Sequence, residues 1–381
     1  IQLYWKDDPT TEKNMDYYRE SIKEGLYSNM INARLQELTR QEDPPFIYGL
    51  SMYSSITRTK NAYIAFGIVS NEKIKDGLNA LLTENERLRQ HGFTETELER
   101  AKADYLSNME TRFKEKGKQE SSSYVWEYSG HFLEGEPVPG IEFDYTFAEE
   151  VVPGITLEEL NELAARWITD ENRVVVIGAP ESSAEFLPSE EEVLNLVDHV
   201  DELELEAYVD KVSDAPLVAE IPEAGSIEKQ HKDKELETIR WELSNGVKVV
   251  FKPTEFKDDE ILMRAYSFGG TSLYDNKDVL TAEMSLDIIS RSGLAGFDES
   301  ELQKKLAGKV VNIWPYLNDV SEGFRGNCSP EDLETMLQLI YLYFTEPRRD
   351  ENAFNSLISM MEGILSNKMN NPSSALQDTL L

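Results

Sequence analysis

Thiol chemistry is almost missing from this 381-residue sequence, in which Cys328 is the sole cysteine. One thiol forms no internal disulfide and builds no thiolate metal site, so Cys328 is expected to act as a small buried hydrophobe. Histidine is scarce too: His91, His131, His199 and His231 are the only four, and no two lie within ten positions. That spacing excludes a local imidazole pair for a cation. No run approaches the roughly 18 apolar residues of a membrane-spanning helix. Basic residues are outnumbered, 38 Lys and Arg against 72 Asp and Glu, for a formal net charge of −34. Such a surface repels phosphate backbones, which excludes nucleic acid as an expected partner. It solubilises the chain and favours basic partners such as cationic peptides. Also missing are a Gly-x-Ser-x-Gly elbow, a Gly-x-x-x-x-Gly-Lys phosphate loop and a Gly-x-Gly-x-x-Gly turn after a strand.

What is present reads as globular, with 40% hydrophobic and 10% aromatic residues over a length that suits two domains or three. Ile1, Leu3 and Trp5 alternate with polar residues as in a strand. The chain opens without Met and closes at Leu381 without a helix stop, so both ends are expected to be cuts in a longer polypeptide. Helical spacing runs through Met15, Tyr18, Ile22, Leu26, Met30, Leu35 and Leu38. Residues 46–56 and 61–69 read as strands, followed by a helix through Ile74, Leu78, Leu81 and Leu82. Thr94 with Glu97, Thr156 with Glu159 and Ser189 with Glu192 are capping-box pairs that open helices. Residues 117–123 are expected as loop, Pro137 to Gly140 as a turn, and Val174 to Ile177 as a short buried strand. Most of 208–238 reads as an extended linker, dense in charge and punctuated by Pro216, Pro222 and Gly225. Beyond it, Asn245-Gly246 between Trp241–Leu243 and Val247–Val249 predicts a hairpin with a type I′ turn. Ile261 to Phe268 reads as a strand ending in a bend at Gly269-Gly270. Residues 279–291 and 299–307 read as helices, 309–317 and 321–327 as strands, and two helices finish the chain.

One pattern occurs twice. A strand, Ser70 and a helix with Ile74 and Leu78 recur 259 residues later as a strand, Ser329 and a helix with Leu333 and Leu337. Each copy continues into a second helix. Short strands in hairpin order followed by paired helices predict an α+β fold: two homologous two-layer domains, each a mainly antiparallel sheet with helices packed on one face, the alternative being two unrelated α+β domains that share common patterns.

Candidate chemistry is thin. His131-Phe-Leu-Glu134 begins like a helical His-x-x-Glu-His metal motif, but Gly135 stands where the second imidazole belongs. His131 is therefore expected near a helix end, and His91 at a helix C-terminus. Glu283 and Asp287, one helical turn apart, are expected on the surface.

Several segments resemble the pitrilysin family (M16) of zinc metallopeptidases. Leu243-Ser-Asn-Gly-Val-Lys-Val-Val-Phe-Lys-Pro253, followed by the strand ending Phe268-Gly-Gly-Thr-Ser-Leu-Tyr274, is similar to the opening of a peptidase domain. Arg34-Leu-Gln-Glu-Leu38, Pro44-Pro-Phe46, Gly135-Glu-Pro-Val-Pro-Gly140, Ile155-Thr-Leu-Glu-Glu-Leu160 and Arg173-Val-Val-Val-Ile-Gly-Ala-Pro180 are similar to the family's second domain. The resemblance implies four related domains around a peptide chamber, with zinc held by a His-x-x-Glu-His motif in the first. Residues 1–207 would then be the second domain, 208–238 the interdomain linker, and 239–381 a degenerate, truncated third domain. The slot matching the motif is Met284-Ser-Leu-Asp-Ile288, with Asp287 where the glutamate belongs and no histidine at either ligand position. The implied parent is a zinc-dependent endopeptidase acting on peptides or unfolded segments. This piece would be its chamber wall and hinge, with no catalytic or metal residue of its own and zinc only in the parent. The alternative is a non-catalytic structural or partner-binding relative. Implied partners are the substrate and the remaining domains of the same polypeptide, and the implied location is the bacterial periplasm or cell envelope.

Overall fold

The computed structural model describes residues 1–10, 12–368 and 372–380. The first part of the chain runs β1 (Gln2–Asp7), α1 (Met15–Leu38), β2 (Tyr48–Thr57), β3 (Lys60–Ile68), α2 (Ile74–His91), α3 (Glu95–Lys114), α4 (Ser121–Glu134), α5 (Ile141–Val151), α6 (Leu157–Trp167), β4 (Arg173–Val176) and α7 (Glu190–Asp201). Its strands form one antiparallel sheet in the order β2-β3-β1-β4. A meander of β5 (Ile227–Asp233), β6 (Thr238–Leu243) and β7 (Lys248–Phe251) follows. Then come β8 (Ile261–Phe268), α8 (Val279–Ser292), α9 (Glu299–Lys305), β9 (Val311–Leu317), β10 (Ser321–Cys328), α10 (Leu333–Thr345), α11 (Glu351–Lys368) and α12 (Pro372–Leu380). The last sheet is ordered β8-β10-β9, also antiparallel.

The anticipated repeat is visible in the topology. Strand–helix–hairpin–helix–helix occurs as β1, α1, β2, β3, α2, α3 and again as β8, α8, β9, β10, α10, α11, with α9 inserted after α8. In both copies the second hairpin strand is central, flanked by its hairpin partner and by the opening strand. The architecture is α+β, antiparallel sheets with helices on one face.

Burial of the predicted apolar stripes organises the first copy. Ile22, Leu26, Met30 and Leu35 of α1 are all buried, as are Leu98, Ala101 and Met109 of α3. Tyr27 is fully buried and meets Tyr63, Phe93 and Trp167 edge-on. Trp167 stacks on Tyr53 at 4.8 Å and Tyr63 at 5.4 Å between ring centroids. Each such pair is worth about 0.5–1.5 kcal/mol beyond its buried area. All three expected capping boxes form, with both reciprocal bonds in place.

Several expectations are corrected. The polar run 117–123 is not all loop, because α4 opens at Ser121; no residue of this helix is buried, so apolar periodicity could not announce it. Val174 and Val176 are 38% and 44% exposed, because β4 is an edge strand rather than a buried one. The stretch 208–238 holds β5, paired with β6, and its earlier half is fastened to both copies as described below. The Asn245-Gly246 hairpin forms, but not with a type I′ turn. Only Gly246 has positive φ, at 85°, and Leu243 N donates to Val247 O. The loop is thus three residues, a β-turn closed by Gly246 N donating to Leu243 O, with glycine in the left-handed position. Among the described residues three helices, not two, follow β10. The Gly269-Gly270 bend is confirmed: Gly270 has φ 64°, and a Cβ there would sit 2.0 Å from Asn318 O. Cys328 is buried as expected.

Glu24 on α1 offers a test of this packing. Burial, then the nearby Glu20 carboxylate, push its pKa up to about 7, against the opposing pull of Arg166, Lys13 and Lys23. A raised carboxyl stabilises the fold below its unfolded value near 4.5, and this contribution fades as pH rises through 7. Glu24→Gln is therefore expected to raise stability by about 2 kcal/mol at pH 8 and to be nearly neutral at pH 4, measured by thermal melts at both.

Candidate functional site

The described residues contain no group of three or more His, Cys, Asp or Glu side chains placed to hold a metal ion. His131 is exposed in the last turn of α4, its Nδ1 2.7 Å from Glu136 O. Gly135 ends that helix in the left-handed conformation at φ 71°. His91 closes α2, with Nε2 2.5 Å from Leu205 O. His199 is in the last turn of α7 and His231 is exposed on β5. The structure does not bring the four together. On α8, Glu283 and Asp287 are exposed, as expected, while Met284 and Ile288 are partly buried apolar side chains. A thioether and an alkyl group where imidazoles would be required do not fit a zinc ion, and no step through zinc is derived from these residues.

What the fold does build is an ionic junction. Arg34 on α1 is buried, and its Nε and Nη2 grip Glu97 at 2.7 and 2.8 Å. Its Nη1 reaches Glu84 on α2 at 3.4 Å. Glu97 also completes the capping box of α3 with Thr94, so one carboxylate serves both the helix start and the buried guanidinium. Burial disfavours the Arg34 charge, but Glu97 and Glu84 outweigh it and the shift is upward. Over the guanidinium lies the ring of Tyr208, 4.2 Å to its centroid. The Tyr208 hydroxyl donates to Glu37 at 2.8 Å and accepts from Lys304 at 3.1 Å. Lys304, on α9 of the second copy, pairs with Glu37 at 2.6 Å and with Asp210 at 2.9 Å. Asp210 pairs in turn with Arg100 of α3 at 2.8 Å. Burial works against the Lys304 and Asp210 charges, yet their partners prevail, raising the first pKa and lowering the second.

Residues 203–218 thereby become a strap. Gln90 Nε2 donates to Leu203 O and Arg87 Nη1 to Glu206 O, each across to α2. Lys305 Nζ donates to Ser213 O, and Val218 packs with Leu294, Leu339 and Leu342 in the core of the second copy. Beside the strap the copies also touch directly: Arg40 pairs with Glu299 at 3.0 Å, Gly308 N donates to Asp104 at 2.6 Å, and Ser356 Oγ donates to Thr39 O at 2.8 Å. A cavity of about 850 Å³ opens between them, lined in part by Gln36, Arg40, Tyr48, Arg291 and Met360. β2, an edge strand on this side, has its main chain occupied at Ser51. There the Asn32 amide accepts from Ser51 N at 2.7 Å and donates to Ser51 O at 3.0 Å. None of these polar links was foreseen from sequence, since each joins residues far apart in the chain.

A repeated two-layer α+β unit is the class of protein this geometry defines. No family model matches the sequence. Three curated relatives carry the name zinc protease. The chain is 26% identical over 349 residues to the zinc protease PQQL-like of Arabidopsis thaliana, covering 91% of this chain and 31% of that protein. It is 21% identical over 367 residues to the probable zinc protease PqqL of Escherichia coli, covering 94% and 38%. Among solved structures, the ferredoxin protease FusC bound to Arabidopsis ferredoxin superposes with a TM-score of 0.58 at 15% identity, covering 100% of this chain and 42% of that one. Pitrilysin superposes with a TM-score of 0.50 at 11% identity, covering 96% and 38%. In sequence the chain is similar to proteins named zinc proteases, and in fold it is similar to pitrilysin. It spans about a third of the length of the curated relatives it matches.

The junction predicts its own failure. Lys304→Met leaves Glu37 and Asp210 short of a cation in a poorly solvated place, which costs about 2–4 kcal/mol. Faster tryptic cleavage at exposed Lys211 should accompany the loss, and Lys304→Arg should restore most of both, read by melting and by timed digestion.

Proposed function

We propose that this chain supplies part of the wall, and the strap between two wall units, of a zinc-dependent metalloendopeptidase that degrades peptides or unfolded segments. The observation that carries the reading is a doubled peptidase-type unit, related to zinc proteases, whose α8 slot holds Met284 and Ile288. On this reading residues 1–207 and 239–381 are two homologous domains and 208–238 joins them, with β5 already belonging to the meander that opens the second. The catalytic cation is held by residues outside this chain. A protein substrate is supported by the relative that was solved with ferredoxin. Further domains of the same polypeptide suit α4, where Trp126 and Phe132 are 80% and 86% exposed. The net charge of −34 suits basic segments as the class drawn to the outer surface. Among the described residues no helix is long and apolar enough to cross a membrane. A periplasmic or envelope setting fits the Escherichia coli relative, which is a periplasmic protease.

Metal analysis after dialysis, paired with a quenched fluorogenic peptide, tests the assignment. The chain alone is expected to retain substoichiometric zinc and to cleave nothing. Zinc-dependent turnover by these residues alone would remove the proposal.

A further inference from the structure

The uncovered face of the β8-β10-β9 sheet carries arginines and aromatic rings in an acidic chain. On β10, Phe324 and Cys328 turn toward the helices, and Phe324 meets Tyr343 and Phe344 of α10. The alternate residues of β10 therefore look away from them. By register Arg325 stands opposite Arg264 and Trp314, and Gly323 opposite Tyr266 and Tyr316. Leu262, Tyr266, Phe268 and Trp314 on this face are 76%, 66%, 82% and 48% exposed.

Two guanidiniums meet directly across neighbouring strands, an arrangement that destabilises a sheet when nothing offsets it. Arg264 and Arg325 both lie over the Tyr316 ring, at 5.7 and 4.6 Å to its centroid. Among the described residues neither forms an ion pair with a carboxylate, although the chain has 72 acidic residues. Tyr316 is 8% exposed, and its buried hydroxyl has no hydrogen-bond partner among the described residues. A depression of about 390 Å³ lies between the arginines and Trp314.

We propose that this sheet face docks an extended peptide segment in which acidic side chains alternate with apolar ones. A carboxylate between Arg264 and Arg325 takes charge-assisted bonds from both and removes their mutual repulsion. The flanking Leu262, Tyr266, Phe268 and Trp314 receive the apolar positions. From Leu262 to Phe268 the face runs roughly 20 Å, at about 3.3 Å per residue, which suits a strand of peptide better than a small molecule. The inference rests on the chamber-wall reading and adds to it a local preference for acidic segments, opposite to the basic preference that the net charge of −34 suggests. The overall field acts over distance, whereas this contact is local; both involve exposed charges and are weakened by salt.

The test uses the whole 381-residue chain and fluorescein-labelled peptides of about a dozen residues that alternate Leu with Glu, or Leu with Lys, followed by anisotropy at low and moderate salt. The Glu peptide is expected to bind roughly tenfold tighter than the Lys peptide. Raising salt should shrink the difference, and the double variant Arg264→Gln/Arg325→Gln should abolish it without lowering the melting temperature. Equal binding of both peptides, or a preference that survives the double variant, overturns the proposal and leaves the chamber wall standing. Binding of neither peptide overturns both. Should the double variant melt early, the salt response of the unaltered chain and the single variant Arg325→Gln decide between the same outcomes: no salt response or no weakening overturns the idea.

Discussion

The buried guanidinium of Arg34 is the constraint from which most of the architecture follows. A charge removed from water must be matched, and Glu97 and Glu84 match it from two further helices. That requirement fixes how α1, α2 and α3 sit together. It also places the face on which Tyr208 rests, and with Tyr208 comes the strap. Through Glu37, Lys304 and Asp210 the same chain of charges crosses into the second copy. The junction between copies is therefore ionic and hydrogen-bonded rather than a continuous apolar core. The apolar cores stay apart: Val218, Leu294, Leu339 and Leu342, in the second copy, form a separate cluster from the large one around Tyr27 and Trp167. Contacts of this kind hold an orientation firmly while remaining sensitive to salt.

Two copies of one topology have been put to different uses. In the first, both sheet and helices are drawn into a thick aromatic core, and the exposed edge of β2 is occupied by Asn32. In the second, the sheet keeps one face bare, and that face carries arginines and aromatic rings instead of acids. On the proposed reading α8 stands where a catalytic relative would bear metal ligands, and it presents Met284 and Ile288 beside an exposed carboxylate pair. A wall element without its own cation is consistent with all three observations, and the net charge of −34 is a poor guide to a sheet face that carries Arg264 and Arg325.

Legibility differed by the range of the interaction. Thr94 with Glu97, Thr156 with Glu159 and Ser189 with Glu192 could be read directly, because a capping box is closed within four residues. The stripes of α1 and α3 were equally plain, since their spacing records which side is buried. The second copy of the fold was visible as an echo around Ser70 and Ser329. Helix α4 was half missed, because a helix with no buried residue leaves no periodic trace. The hairpin at Gly246 was placed correctly and its turn type was not, since the choice between two- and three-residue loops depends on the strand register of β6 and β7.

By itself the sequence determined the local elements, the doubled α+β plan, the resemblance to a zinc-protease family and the scarcity of imidazole, because each of these is written in residue type and short spacing. Tertiary structure alone decided that residues 203–218 are a fastened strap, that Lys304 reaches Glu37 and Asp210, and that Arg264 and Arg325 face one another on an open sheet. Those facts depend on pairs separated by tens to hundreds of positions, from 61 between Arg264 and Arg325 to 267 between Glu37 and Lys304. Only folding brings such side chains within reach, and no local pattern encodes the distance between them.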